Sequence, residues 1–125
     1  MVIIKALSGP FAGKEKELFP YENPMGFFTS MYRHGWRWES DYSRATQEEI
    51  VRIFRAEIIV RLMRALFAGL PVIFMNKTWH AGDKSEVEKM AQEIEMAIVE
   101  SGMMITIESD DENGLVIGVR NYEVQ

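Results

Sequence analysis

Apolar residues recur every three or four positions along two long stretches of the chain, which is the spacing of helices that bury a face. A capping box precedes each stretch, with Thr46 and Glu49 before the first and Ser85 and Glu88 before the second. In a capping box, the two side chains satisfy backbone N–H groups at the start of a helix. The pattern therefore predicts two long helices.

The ends of the helices follow from the glycines. We expect helices over residues 47–68 and 86–101, because Gly69 and Gly102 readily adopt the left-handed conformation that closes a helix. A shorter helix is predicted within "PMGFFTSMYRH", which has a proline in its first turn and a glycine directly after it.

Six runs rich in β-branched and aromatic residues predict strands. They are "VIIKAL", "KEKELF", "WRWESDY", "LPVIFMN", "MMITIES" and "LVIGVRN". With the helices they give the order β-β-α-β-α-β-α-β-β. The chain has no internal repeat and no linker-like segment, so we expect residues 1–125 to form a single α+β domain. In it, a mixed or antiparallel sheet packs with two long helices and one short helix.

The last two predicted strands can be joined by a loop of either of two lengths, and the apolar residues indicate which one forms. A tight Asn-Gly turn would place Ile107 opposite Arg120, whereas a loop over residues 110–114 pairs Ile107 with Ile117. Because a shift of one residue moves every side chain to the other face of a strand, the apolar pairing decides the register. We predict the five-residue loop.

The helix predicted over residues 47–68 is apolar on almost all sides. Apolar residues lie on its flanks and back as well as on its core-facing stripe, and the residues that interrupt them are Arg52, Arg55, Glu57, Arg61 and Arg64. We therefore predict a homodimer or higher homo-oligomer that forms through Val51, Ile59, Met63 and Phe67. The alternative is a central helix of the monomer, covered by the other helices.

Composition narrows the class of protein. Of the 125 residues, 47% are apolar and 26% are charged, as in ordinary globular domains. The absence of cysteine excludes disulfides, thiolate metal sites and thiol nucleophiles. The sequence shows neither a signal peptide nor an uninterrupted apolar stretch that could cross a bilayer, so we expect a cytoplasmic protein without membrane partners.

Charge is unevenly distributed along the chain. Residues 1–80 hold 11 of the 14 Lys and Arg and 8 of the 19 Asp and Glu, a net charge of +3, whereas residues 81–125 have a net charge of −8. The net charges of the two parts have opposite signs. We expect them to attract one another, either within one chain or at the rim of a contact between two chains.

The segment "SGPFAGKE", residues 8–15, is close to a phosphate-binding loop but departs from its requirements. That loop has four residues between its glycines and a serine or threonine after the lysine. Here three residues separate Gly9 from Gly13, Pro10 lacks an N–H group, and Glu15 follows the lysine. We interpret the segment as a tight turn before a charged edge strand whose lysines prevent mispairing.

Two resemblances to known families fall on this region. The stretch "VIIKALSGPFAGKEKEL" resembles the opening hairpin of forkhead-associated phosphopeptide domains, and "GPFAG" is similar to the KOW segment of bacterial transcription elongation factors. Both end at Leu18. A forkhead-associated domain would be an all-β sandwich and would require a Gly-Arg pair and a Ser-x-x-His loop, which this chain lacks, so we assign no family.

Aromatic and basic residues alternate in "FFTSMYRHGWRWESDYSR", as in surfaces that bind single-stranded nucleic acid. Binding through Arg33, Arg37 and Arg44 is therefore one hypothesis. Strand parity opposes it, because Trp36 and Trp38 fall on one face and Arg37 on the other. We expect the tryptophans to face a core, and the pI near 5.1 gives no support for a nucleic-acid partner.

His80 is the candidate for chemistry, because an imidazole can act as an acid or a base near neutral pH. It lies in "NKTWHAGD", which we place in a loop between a strand and a helix, with Asp83 three residues further on and Trp79 beside it. His34 falls at a predicted helix end, where an imidazole suits the helix dipole. The acidic run "SDDENG" lacks the alternating ligands of a calcium loop, so no metal site is predicted.

We predict a non-catalytic, homo-oligomeric structural or interaction module without a cofactor. The first alternative is a small-molecule enzyme with an acid–base site around His80 and Asp83. The second is a nucleic-acid-binding protein that uses the segment 32–44. If the chain binds a ligand, the candidate residues are Trp79, Trp36 and Trp38.

The turn over residues 9–14 is predicted to bind no nucleotide, because its glycine spacing is short and no hydroxyl side chain follows Lys14. Calorimetry with ATP or GTP in the presence of Mg²⁺ should show no binding heat. Binding that the substitution Lys14→Ala abolishes would contradict this prediction.

Overall fold

The computed structural model describes the backbone of residues 1–74, 77–80, 84–101 and 103–121, and the side chains of residues 1–65, 67–74, 77–80, 86–97 and 107–118. Sheets and helices are both present, which confirms the predicted α+β class. The chain divides into two compact units, unit 1 at Met1–Val60 and unit 2 at Arg61–Gln125. The single domain remains a prediction.

Unit 1 is built on a three-stranded sheet. Its elements are β1 (Val2–Ala6), β2 (Glu15–Leu18), α1 (Pro24–Arg33), β3 (Trp38–Asp41), α2 (Gln47–Glu49), a π-helical turn (Ile50–Phe54) and the first part of α3 (Arg55–Ala68). The strand order is β2-β1-β3, and both pairings are antiparallel. Val2, Ile4 and Ala6 alternate along β1 and are buried, and Phe28 and Met31 are the buried residues of α1.

The helix limits in unit 1 agree with the sequence pattern. The hydroxyl of Thr46 accepts a hydrogen bond from the Glu49 N–H, and the Glu49 carboxylate accepts one from the Thr46 N–H, which is the predicted capping box. Helical structure then continues to Ala68. Gly35 and Gly69, which follow α1 and α3, both have the positive φ expected of helix ends.

The π-helical turn Ile50–Phe54 was not predicted. A π-helical turn holds more residues than an α-helical one. It therefore changes which residues of α3 share a face with those before the turn. Glu57 and Arg61 are buried and continue the three- and four-residue spacing of Ile53 and Phe54. Ala56 and Val60 are also buried, although a continuous α-helical period places them outside that stripe.

Unit 2 contains the rest of α3 and a four-stranded sheet. Its further elements are β4 (Pro71–Phe74), β5 (Lys77–His80), α4 (Lys84–Ser101), β6 (Met103–Asp111) and β7 (Gly114–Asn121). The strand order is β5-β4-β7-β6. The β4–β7 pairing is parallel and the other two are antiparallel, so the sheet is mixed.

Two features of the predicted organisation are wrong. The described strands form two sheets instead of one, and the predicted order lacks β5. β5 pairs antiparallel with β4 from Phe74 opposite Lys77 to Pro71 opposite His80. Only residues 75–76 separate the two strands. The segment "MN" lacks the glycine that usually marks a short connection between two strands in a sequence.

The last hairpin has the predicted register and a different loop. Ile107 is opposite Ile117, as the apolar pattern required. The strands nevertheless continue until Asp111 faces Gly114, so the loop has two residues and not five. The Ile107–Ile117 pairing and the two-residue loop are compatible because the register shifts between Ile107 and Ser109. A β-bulge there adds one residue to β6.

The apolar stripe of α4 is confirmed where its side chains are described. Its buried residues are Val87, Met90, Ala91 and Ile94, and Ala97 is half-buried. The side chain of Ile98, the capping contact of Ser85, and Gly102 lie outside the described residues. α4 begins at Lys84, two residues before the predicted start.

The substitution Ile94→Ala is expected to reduce the free energy of unfolding by roughly 2 to 5 kcal/mol, because it removes a fully buried side chain and leaves a cavity. Ile94 is 2% exposed, whereas its neighbour Glu93 lies on the solvent side of α4. Denaturant titrations of the two alanine variants test this. Equal losses for Ile94→Ala and Glu93→Ala would mean that the buried face is wrongly assigned.

Candidate functional site

A buried carboxylate lies at the centre of unit 1. Glu57 is 0% exposed, although the sequence pattern placed it among the polar interruptions of its helix. Its Oε1 accepts hydrogen bonds from Trp38 Nε1 at 3.1 Å and from the Ser40 hydroxyl. Trp38 and Ser40 alternate with the exposed Glu39 on β3. The carboxylate therefore joins the helix to the inner face of this strand.

Unit 2 has a buried ion pair of its own. Arg61 Nη1 donates a hydrogen bond to Asp110 Oδ2 at 2.7 Å, and the two side chains are 6% and 10% exposed. Like Glu57, Arg61 is a helix residue that the sequence pattern placed among the polar interruptions. Asp110 was predicted to lie in a turn, but it is part of β6, and its carboxylate forms the ion pair with Arg61 of α3.

The three tryptophans proposed as ligand-binding residues lie in different environments. Trp38 is 4% exposed and belongs to the core of unit 1. Trp36 is half-buried and lines a cavity of the same unit. Trp79 is half-buried on β5, where the Lys77 ammonium lies 5.6 Å from the centre of its ring.

Nucleic-acid binding through the segment 32–44 stays a prediction. Of the aromatic rings in this segment, Tyr32 and Trp36 are half-buried. Arg33, Arg37 and Arg44 are exposed, whereas Trp38 and Tyr42 are buried. The predicted parity of this strand is confirmed, with Trp38 inside. A surface for single-stranded nucleic acid needs rings that bases can stack on.

His80 does not lie in the predicted loop. It is the last residue of β5, it is exposed, and its backbone is opposite Pro71. Asp83, its proposed partner, falls outside the described residues, so the proposed acid–base pair stays a prediction. His34 follows α1, with Nδ1 2.7 Å from the Ser30 carbonyl oxygen and its ring stacked on Trp36 at 4.5 Å.

The residues predicted to form an oligomer interface differ in exposure. Val51 and Ile59 are half-buried. Met63 is 37% exposed and Phe67 is 70% exposed, and their spacing of four residues places them on one face of α3. The end of α3 therefore presents apolar side chains to solvent.

Unit 1 contains a cavity of about 340 Å³ between the β1–β2 hairpin and α1. The residues that line it are Ile4, Ala6, Ser8, Phe11, Lys14, Glu15, Lys16, Phe27, Ser30, Met31 and Trp36. More than half of them are apolar, and three of these are aromatic. The sequence analysis identified Trp36 alone among them as a ligand candidate.

The tight turn forms one wall of this cavity through a close approach to Trp36. Gly9 has a φ of 82°, and a Cβ atom there would lie 2.6 Å from Trp36 Cδ1. Only glycine therefore allows the indole to lie against the turn. The Phe11 ring meets the same indole edge-on, with 6.1 Å between the ring centres.

The interpretation of residues 8–15 as a tight turn is confirmed. The N–H groups of Ala12, Gly13 and Lys14 donate to the carbonyl groups of Gly9, Ala6 and Phe11, respectively. These amides are engaged within the turn itself. A phosphate-binding loop needs such groups directed at its ligand.

Two lysines lie on the inner face of the hairpin. Lys16 is directly opposite Ile4, and the Ala6 N–H donates to the Lys14 carbonyl at 3.0 Å, so both lysines share the face of the buried β1 residues. Glu17 is opposite Ile3, on the other face.

The two lysines differ in their partners. The Lys16 ammonium lies 3.1 Å from Glu22 Oε1 and 6.0 Å from the centre of the Phe27 ring. A hydrogen bond from the Phe19 N–H and the contact with Lys16 lower the pKa of the Glu22 carboxyl. In the described part of unit 1, no ion pair involves Lys14.

Comparisons with known proteins give one partial similarity. The chain is 40% identical over 48 residues to a probable holocytochrome-c-type synthase from Caenorhabditis elegans, and these residues are 38% of this chain and 17% of that protein. A match of this extent does not place the chain in a family. No family model matches the chain, and no solved structure matches it.

Among the described helices, none has the length and apolar character required to cross a bilayer. Within the described residues, no three acidic or histidine side chains come together as metal ligands do.

The substitution Glu57→Ala is expected to lower the free energy of unfolding by at least about 2 kcal/mol, because the Trp38 N–H and the Ser40 hydroxyl lose a buried acceptor. Glu57→Gln keeps an acceptor oxygen and should lose less. Glu39→Ala, on the exposed face of β3, is the control and should change stability by about 0.5 kcal/mol or less. Urea titrations measure all three, and equal effects of Glu57→Ala and Glu39→Ala would contradict the assignment.

Proposed function

We propose that the protein is a non-catalytic interaction module that self-associates through the end of α3. The observation that carries the proposal is the exposure of Phe67, which is 70%, next to Met63 on the same helix face. Single exposed apolar residues are common on monomers. Two large ones in one row at the end of a long helix favour a contact surface.

A two-fold contact suits such a row. In an isologous dimer, the same patch from each chain is buried, so each side chain contributes twice. Full burial of a Phe or Met side chain stabilises by roughly 1.5 to 3 kcal/mol. Phe67, which is 70% exposed, can gain most of that amount, and Met63, which is 37% exposed, can gain a smaller part of it.

Charge in unit 2 is compatible with this contact. Arg64 follows Met63 on α3 and is half-buried, while α4 exposes Glu88 and Glu93. In a pair of chains, a basic rim on one and an acidic helix on the other would attract one another and orient the contact. The proposal includes a cytoplasmic location, since a chain without cysteine needs no oxidising compartment.

The substitution Met63→Glu is expected to convert a dimer into a monomer, because it places a charge in the apolar contact. Met25→Glu is the matched control, since both methionines are on helices and both are 37% exposed. Light scattering at micromolar concentration should give twice the monomer mass of 14.5 kDa for the wild type and for Met25→Glu. Met63→Glu and Phe67→Glu should give the monomer mass with an unchanged circular dichroism spectrum.

Three results would contradict the proposal. The first is a wild-type mass near 14.5 kDa at all concentrations tested. The second is a dimer that persists in both Met63→Glu and Phe67→Glu. The third is equal dissociation by Met25→Glu, which would locate the contact elsewhere.

A further inference from the structure

We propose that the cavity of unit 1 is a binding site for a small aromatic carboxylate, with the ring inside and the carboxylate at Lys14. Three features support it: a mostly apolar lining, the aromatic side chains within that lining, and lysines on the strand face that also carries buried residues. It does not depend on self-association. The residues concerned are all described and all belong to unit 1.

The volume and its lining argue for an apolar ligand body. A space of about 340 Å³ is at the lower end of the range that holds small organic ligands, roughly 300 to 1,000 Å³. Ile4, Ala6 and Met31 supply aliphatic surface from the strand and the helix. Such pockets characteristically combine an apolar lining with a few polar groups that fix orientation.

The walls favour an aromatic ring over an alkyl chain. Phe11, Phe27 and Trp36 border the cavity, and the Phe11 and Trp36 rings meet edge-on. Aromatic rings attract one another in edge-to-face and offset-stacked arrangements. Trp36 is held between Gly9 and the stacked His34 ring, so its orientation is set before a ligand arrives. A preoriented ring loses little conformational entropy on binding.

The lysines at the cavity favour a ligand with one negative charge. Lys14 and Lys16 both line the cavity, and Glu22 already pairs with Lys16 at 3.1 Å. Lys14 is left as the cation that can meet an anion at the cavity. Glu15 also borders the cavity, but it is opposite Lys5 in the strand pairing, on the outer face of the hairpin.

Edge protection is the competing explanation for these lysines. β2 is an edge strand, and charged residues that point inward discourage a second chain from pairing with it. In that case Lys14 would affect aggregation and not ligand binding. Removal of the Lys14 charge should weaken ligand binding if Lys14 binds the carboxylate, and should leave the affinity unchanged if Lys14 only protects the edge.

The experiment uses 2-naphthoate as the probe and isothermal titration calorimetry as the measurement. The neutral amide of the same shape, 2-naphthamide, should bind roughly tenfold more weakly, because it lacks the charge-assisted contact with Lys14. Decanoate tests the aromatic part and should bind more weakly than 2-naphthoate. Equal affinities for 2-naphthoate and 2-naphthamide, or tighter binding of decanoate, would overturn the proposal as stated.

Matched lysine variants decide between the two explanations. Lys14→Gln should weaken 2-naphthoate binding roughly tenfold and leave 2-naphthamide binding unchanged. Lys5→Gln, on the outer face of the same hairpin, should change neither. If Lys14→Gln promotes aggregation while affinity is kept, the lysine protects the edge and the proposal fails.

A third variant locates the ligand. Ser30 is exposed on α1 and lines the cavity, so Ser30→Trp should fill the entrance and abolish binding without loss of the fold. Unchanged affinity in Ser30→Trp would place the bound probe elsewhere. No binding heat for wild-type protein up to millimolar 2-naphthoate would also overturn the proposal.

Discussion

The buried carboxylate of Glu57 is the interaction on which the architecture of unit 1 depends. A polar side chain without access to water is stable only where hydrogen-bond partners reach it. Here the donors are the indole of Trp38 and the hydroxyl of Ser40, both on the inner face of β3. The position of the helix relative to that strand is thus fixed by a directional polar contact, which an apolar core alone would specify less sharply.

Four residues later, α3 carries a second buried charge, Arg61, whose partner Asp110 belongs to unit 2. In unit 1, Glu57 accepts hydrogen bonds from Trp38 and Ser40, and in unit 2, Arg61 donates one to Asp110. Removal of one partner from a buried pair costs far more than an exposed pair contributes. These two positions should tolerate substitution poorly, whereas the exposed arginines Arg52 and Arg55 should tolerate it well.

The extent to which the sequence determined these features differs from element to element. Caps and helix ends were predictable because they depend on side chains within a few residues, as at Thr46 and Gly69. The Ile107–Ile117 register was predictable because apolar pairing decides the face of a strand. The burial of Glu57 was not, because a carboxylate on an apolar stripe is buried only where donors reach it, and its donors Trp38 and Ser40 lie on a strand distant in the sequence. The cavity depends on contacts between distant segments, so only Trp36 could be suspected in advance.

The position of β7 in its sheet has a consequence for the order of folding. β7 comes last among the strands, yet it lies between β4 and β6 and provides the parallel pairing with β4. During synthesis, the sheet of unit 2 can therefore close only after residue 121 has emerged. The sheet of unit 1 needs nothing beyond Asp41. Because local pairings form faster than distant ones, we expect the amino-terminal hairpin to be ordered while the chain is still being made.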